Sequence, residues 1–188
     1  MLIAESMRSK IAITPTLVTI DRLLQSEDYA SMLAEPALQL LPRFYREVVW
    51  NPDGGMSLAA QMQSDDFAML RRVFEIEKRT VKRMHEAGVI LALGTDRTWG
   101  ASVHMELELL HAAGIPLADL VRVATLNGAT YLHREHEIGS IERGKQADML
   151  LLREDPTRSV AAWQAIDAVW KGGQRIDLTA REWAVLEA

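Results

Sequence analysis

The chain has 188 residues and a formal net charge of -5, and 48% of its residues are hydrophobic and 25% charged. This composition is typical of a globular protein that is long enough to bury one core. The acidic balance argues against nucleic acid as a partner, because phosphate binding needs a basic surface and no stretch of this chain concentrates Lys and Arg.

The chain contains no cysteine, which excludes disulfides and thiolate metal sites and leaves the compartment undetermined. Any metal would have to be held by His, Asp or Glu. The first ten residues lack the basic start and long apolar segment of a signal peptide. No window approaches about 18 apolar residues, so we expect no membrane-spanning helix.

The N-terminal region predicts a short helix followed by a strand. Residues 2–9 fit the end of a helix, and residues 11–18 are rich in β-branched side chains. Pro15 cannot donate to a β-ladder, which places it at the exit of the strand. Thr14 and Thr16 would lie at that exit, either as substrate contacts or as hydroxyls that satisfy the local backbone.

Residues 21–50 predict a helical segment that Pro36 and Pro42 interrupt, and the turn-forming residues 51–55 end it. The segment would lie over a site. Its aromatic side chains would either form a lid or pack as a surface layer. They are Phe44, Tyr45 and Trp50.

A long amphipathic helix is predicted from Ser64 to Gly88. Ser64 is a favourable N-cap, Asp65 and Asp66 follow it in the first turn, and a glycine commonly ends a helix. Apolar residues then recur at helical spacing. They are Phe67, Leu70, Phe74, Val81 and Met84.

The run after Gly88 predicts a strand that is buried on both faces. Residues 89–93 are all apolar, and Asp96 follows a small residue and a threonine. Strands of this kind belong to parallel sheets covered by helices, and chemistry occurs at their carboxyl ends. Asp96 is therefore a candidate ligand or base, although a carboxylate here could also cap a helix or form a turn.

Two further helices and a small antiparallel unit complete the prediction. One helix ends at Gly114, and Pro116 lies in the first turn of the next. From residue 139 the pattern changes to short strands with glycine turns, and Thr179 would cap a final helix. The expected elements are a strand and a glycine turn over residues 139–145, and strands at residues 147–152, 165–170 and 174–178.

The five histidines do not form a recognisable metal site. His133 and His136 are three residues apart, whereas paired zinc ligands on a helix are four apart. His104 and His111 share a helix face but are separated by about 10.5 Å of rise, too far for one ion. His104 could lean over the end of the strand as a substrate contact or lie on the helix surface.

Six motifs, in this order, resemble the closing half of the amidohydrolase superfamily, most closely its imidazolonepropionase and prolidase-type members. Together they cover most of residues 10–175. They are TPTL at residues 14–17, AGVILALGTD at 87–96, HMELELL at 104–110, ATLNGA at 124–129, IGSIERGKQADMLLL at 138–152 and AVWKGG at 168–173.

The resemblance implies an α/β fold, the C-terminal part of a (β/α)8 barrel with about its last two strands, plus part of a small β-sandwich. Residues 1–137 would be the partial barrel, and residues 138–188 would be the sandwich strands and a terminal helix. The implied activity is metal-dependent hydrolysis of a carbon–nitrogen bond in a cyclic amide or dipeptide-like small molecule.

By the same resemblance, Asp96 is a zinc or other divalent metal ligand at the end of the eighth barrel strand, and it takes a proton from the attacking water. The candidate substrate-binding residues are Thr16, Arg97, Trp99 and His104. The family's remaining metal ligands, which include a His-x-His pair, have no counterpart in this chain.

The resemblance therefore implies a chain that needs the missing N-terminal barrel half, from the same gene or a separate chain, and that is inactive and holds no metal alone. The alternative is a catalytically silent truncated domain that acts only as a structural or interaction module. Unpaired apolar strands would favour poor solubility or association, including a homo-oligomer.

Overall fold

The computed structural model describes residues 2–9, 11–39, 41, 43–54, 57–97 and 99–177. Its α-helices are α1 (Leu2–Ser9), α2 (Leu17–Gln25), α3 (Tyr29–Leu33), α4 (Pro36–Gln39), α5 (Ser64–Glu86), α6 (Ser102–Ala112), α7 (Leu117–Ala124) and α8 (Leu126–Tyr131). Short helical turns lie at Ser26–Asp28, Tyr45–Val49, Pro52–Gly54, Leu58–Gln61 and Val160–Gln164. The strands are β1 (Met149–Leu152), β2 (Ile166–Lys171) and β3 (Gln174–Arg175).

Helices α1 and α5 agree with the sequence prediction to within two residues, α6 ends two residues before the predicted Gly114, and α7 begins one residue after Pro116. Helix α2 begins inside the predicted strand at residues 11–18, and α7 and α8 replace the single helix predicted from Pro116. None of these helices is both long and apolar enough to cross a bilayer. Three predicted features lie outside the described residues: the proline break at Pro42, the end of the turn at Gly55 and the helix after Thr179.

Two extended segments pair in parallel in the main core. Ile13 forms a parallel bridge with Leu91. The N–H of Ile13 donates to the carbonyl of Ile90 at 2.9 Å, and the N–H of Ala92 donates to the carbonyl of Ile13 at 2.9 Å. The pairing has the predicted direction but covers a single bridge.

The predicted strand at residues 11–18 is too long. Helix α2 begins at Leu17, because Thr16 turns the chain into the left-handed region with φ 53°. Pro15, immediately before it, has no N–H to continue a ladder. The extended segment therefore ends before Leu17, whereas the sequence predicts a strand that continues to residue 18.

The other edge of the segment around Leu91 is covered by the junction of α7 and α8. The N–H of Leu93 donates to the carbonyl of Val123 at 3.1 Å, and the side-chain amide of Asn127 donates to the carbonyl of Leu91 at 2.7 Å. This edge is not open, contrary to the expectation of unpaired strand edges.

The core lies between these segments and helices α2, α5, α6 and α7. Helix α5 is capped by Gln63, one residue before the predicted cap, and the N–H of Gln63 donates to the Asp66 carboxylate at 2.8 Å. Gly88 has φ 82° and lies just after the end of this helix, as predicted. The largest fully buried apolar side chains of this core are Leu17, Leu91, Leu107, Leu110, Ile115 and Leu120.

The C-terminal part forms a three-stranded antiparallel sheet in the order β1-β2-β3. Over residues 139–145 the predicted glycine turn is present at residues 143–144 but the predicted strand is not, because Gly139 and Gly144 both have positive φ, 91° and 93°. A positive φ breaks the extended conformation that a strand requires. On the outer strand, Leu150 and Leu151 are 55% and 48% exposed.

Candidate functional site

Both extended segments end at a residue in the left-handed conformation. Thr16 has φ 53° and Asp96 has φ 48°. Such angles are uncommon for residues other than glycine and occur often at functional sites. The side chain of Asp96 is exposed, and no hydrogen bond to its carboxylate is formed by the described residues.

The first turn of α2 joins the two segment ends. The Thr19 hydroxyl donates to the carbonyl of Thr95 at 3.2 Å. The Arg97 guanidinium donates through Nη2 to the carbonyl of Thr19 at 2.8 Å, and the N–H of Arg97 donates to the Thr95 hydroxyl at 3.3 Å. The residues on both sides of Asp96 are therefore tied to the helix that follows Thr16.

A buried carboxylate holds the start of α2. Glu106 on α6 is 0% exposed, and its two oxygens accept the N–H groups of Leu17 at 3.0 Å and Val18 at 2.7 Å. Burial raises its pKa to about 7, even though both N–H donors oppose that rise. The sequence analysis did not single out this residue, although Glu106 lies on the same helix face as Val103, Leu107 and Leu110, where a charge is unexpected.

A cavity of about 240 Å³ lies beside this junction. Ten described residues line it: Thr19, Arg22, Leu23, Ser26, Met32, Val49, Trp50, Ser57, Leu58 and Arg97. The cavity thus combines apolar walls with two arginines, and an unpaired guanidinium in such a cavity is suited to a small ligand that carries an acidic group.

The two arginines of the cavity differ in how their charges are compensated. Arg22 is 7% exposed and donates to the carboxylates of Glu35 at 2.6 Å and Asp21 at 3.2 Å. Arg97 is partly buried, and its Cζ atom lies 5.9 Å from the centre of the Trp50 ring. Burial lowers the pKa of the Arg97 guanidinium, and the charge of Asp96 opposes that effect. The Nε atoms of both arginines are buried and have no partner among the described residues.

Trp99 lies behind the cavity wall. Its ring is 4.4 Å from that of Trp50 in an edge-to-face arrangement, and it packs in a second apolar cluster with Met32, Leu38 and Leu41. Of the three predicted lid aromatics, Trp50 lines the cavity, Tyr45 packs against this cluster and Phe44 is exposed.

His104 lies on α6 and is not among the described residues that line the cavity. Burial lowers the pKa of its imidazole, with Glu108 opposing, and Nδ1 is buried without a partner among the described residues. The structure therefore brings Arg97 to the cavity and places Thr16 and Asp96 at the adjoining segment ends. Trp99 lies behind the wall and His104 apart from it.

The described residues do not assemble a metal centre. Within residues 2–9, 11–39, 41, 43–54, 57–97 and 99–177, no three His, Asp or Glu side chains are grouped so that they could share an ion. Asp96 supplies a single carboxylate, whereas a zinc site needs at least three protein ligands. The residues present do not fit a metal on their own.

A sequence profile of the amidohydrolase family matches residues 44–176. An imidazolonepropionase from Treponema denticola is 35% identical over 105 residues, which are 50% of this chain and 25% of that protein. A putative prolidase from Bifidobacterium longum has a solved structure with 28% identity and a TM-score of 0.57, matched over 68% of this chain and 34% of its own.

The structure of a Xaa-Pro dipeptidase with bound methionine matches 93% of this chain and 36% of its own, with a TM-score of 0.59 and 21% identity, which shows a shared fold. The chain spans about a quarter of the length of the curated relatives it matches. The profile match covers well over half of the chain. The chain therefore belongs to the amidohydrolase family.

Proposed function

We propose that this chain is the C-terminal portion of a hydrolase that cleaves a carbon–nitrogen bond in a small cyclic amide or dipeptide-like molecule. Membership of the amidohydrolase family supports the reaction class. The observation that carries the proposal is the exposed Asp96 carboxylate, unpaired among the described residues, at the end of a buried extended segment that pairs in parallel with its neighbour. The carboxyl ends of parallel strands are the usual position of active sites in α/β folds.

In this proposal residues 1–137 form about the last two strand and helix units of a (β/α)8 barrel. The two parallel segments, each followed by a helix, support it. Residues 138–188 contribute strands of a small β-sandwich and a terminal helix, in agreement with the antiparallel order β1-β2-β3.

Asp96 acts as the base of the reaction. Its carboxylate accepts a proton from the attacking water and passes that proton to the leaving nitrogen, a task for which a carboxylate within hydrogen-bond reach is suited. Thr16, Arg97, Trp99 and His104 are the proposed substrate-binding residues. Arg97 has the strongest support, because it lines the cavity and directly follows Asp96 in the chain.

The reaction needs groups that the described residues do not supply. Family members use zinc or another divalent metal, and the single carboxylate of Asp96 does not complete a site for it. The remaining ligands would come from an N-terminal barrel segment, in the same polypeptide or in a separate chain. The exposed Leu150 and Leu151 support association with such a segment or with a second copy.

The test compares hydrolysis of a panel of cyclic amides and dipeptides by the chain alone and by the chain together with the segment encoded immediately upstream of Met1 in the same frame. We expect turnover only with the added segment. Asp96→Asn should then lower kcat by about a thousandfold or more, since the proton acceptor is lost. The control is Asp65→Asn, an exposed aspartate in the first turn of α5. Full activity of Asp96→Asn would overturn the assignment.

A catalytically silent structural or interaction module is the second candidate. The observation that favours it is that the described residues group no metal ligands. The same experiment separates the two functions, because an upstream segment that binds the chain without restoring turnover would support the module.

A further inference from the structure

We propose that Glu106 is a positioning residue that fixes the backbone around Asp96 through the first turn of α2. The inference rests on the proposed function only in giving Asp96 a chemical role. Its physical content is a chain of contacts from a buried carboxylate on α6, through α2, to residues 95–97.

The first step is a helix cap supplied from a distant part of the chain. The first N–H groups of a helix have no partner within it, and a side chain just before the helix usually accepts from them. Thr16 occupies that position, but it is in the left-handed region and its side chain makes no cap. The oxygens of Glu106 accept from Leu17 and Val18 instead.

These two hydrogen bonds hold Thr16 in its unusual conformation. A residue with a side chain pays a steric penalty at φ 53°, and such a conformation persists only where its surroundings fix it. A buried carboxyl group whose two oxygens receive two N–H groups is a strong constraint of this kind. Without it, the start of α2 could relax to an ordinary conformation and shift.

The second step carries this constraint to Asp96. One residue after Val18, the Thr19 hydroxyl donates to the carbonyl of Thr95, and the Thr19 carbonyl accepts from the Arg97 guanidinium. These bonds reach the residues immediately before and after Asp96, which is itself left-handed at φ 48°. A change at the start of α2 should therefore alter the position of the Asp96 backbone.

The test measures amide hydrogen exchange, residue by residue, by NMR on the full chain without metal or substrate. Glu106→Gln keeps the size of the side chain but leaves one N–H facing another donor. We expect exchange of the Leu17 and Val18 amides to accelerate about 10- to 100-fold, and that of Arg97 by a smaller factor, while Ile13 and Ala92 stay unchanged. The matched control is Glu108→Gln on the same helix, whose exposed side chain accepts from Gln164 and makes no hydrogen bond to α2 among the described residues.

A second variant tests the link itself. Thr19→Val removes the hydroxyl that reaches Thr95 and leaves Glu106 in place. We expect faster exchange at Arg97 with no change at Leu17 and Val18. This variant decides the proposal if Glu106→Gln does not fold.

Three outcomes would overturn the inference: acceleration by Glu106→Gln at Leu17 and Val18 without any at Arg97, acceleration spread evenly over the whole chain including α5, or no effect of Thr19→Val on Arg97. Because exchange is read without metal or substrate, its result is separate from that of the hydrolysis assay. The positioning can therefore fail while the proposed function stands, and the reverse also holds.

Discussion

The raised pKa of Glu106 predicts that this residue makes the protein less stable as the pH rises. The folded protein holds the Glu106 proton more tightly than the unfolded chain, because its pKa rises from 4.5 to about 7 on folding. The contribution of this group is then most favourable below pH 4.5, declines as the pH rises toward 7, and is constant above it. Burial is the main cause, and Asp21 adds to it.

The size of the effect follows from the same values. Each tenfold change in proton affinity corresponds to about 1.4 kcal/mol, so the full decline amounts to about 3 kcal/mol. This is a large fraction of the stability of an ordinary domain, which is about 5–15 kcal/mol. The neutral variant Glu106→Gln does not titrate and should lack this decline.

The assay is urea unfolding, followed by tryptophan fluorescence, of the wild type and Glu106→Gln between pH 4.5 and 8. The difference in unfolding free energy between them should change by about 3 kcal/mol in favour of the variant as the pH rises. Glu154→Gln, an exposed glutamate outside α6, should keep the pH dependence of the wild type. A constant difference would refute the reasoning, and a change of opposite sign would mean that the two N–H donors outweigh burial.

Three further substitutions test the fold by urea unfolding. Gly139→Ala would place a Cβ 2.6 Å from that of Ala129, whereas the Cβ of Gly144→Ala, at nearly the same φ, meets nothing within 4 Å. The free energy of unfolding should therefore fall by about 1–3 kcal/mol more for Gly139→Ala than for Gly144→Ala. Equal losses would show that backbone strain alone matters. Asn127→Ala removes the donor to the Leu91 carbonyl and should cost about 1–3 kcal/mol, and an unchanged midpoint would mean that this edge needs no cover. Leu110→Ala leaves a cavity at a fully buried position and should lower the free energy of unfolding by about 2–5 kcal/mol. A smaller loss would mean that the core around Leu110 is loosely packed.

Much of the secondary structure was predictable because its signals are local. The apolar run before Asp96 and the glycine before it mark a buried segment, and the structure confirms its parallel pairing. Over residues 139–145 the predicted glycine turn is present but the predicted strand is wrong, for an equally local reason: Gly139 and Gly144 both adopt positive φ. The family resemblance was also readable, because it rests on the order and spacing of short motifs.

The parts of the site that depend on distant contacts were not predictable. Glu106 reads as one of several acidic residues on an amphipathic helix until Leu17 and Val18, 89 and 88 residues away in the chain, lie against it. The cavity likewise joins Arg22, Trp50 and Arg97 from three separate segments.

By itself, the sequence determined where α5 and the buried segment before Asp96 form, which face of α5 is apolar, and that a carboxylate follows the buried segment. Only the tertiary structure decided that Glu106 is buried, that Arg97 faces a cavity, and that α7 and α8 cover one strand edge. The physical reason is that periodicity and turn chemistry act over a few residues. Burial, charge compensation and hydrogen bonds between helices depend instead on which surfaces meet when the chain packs.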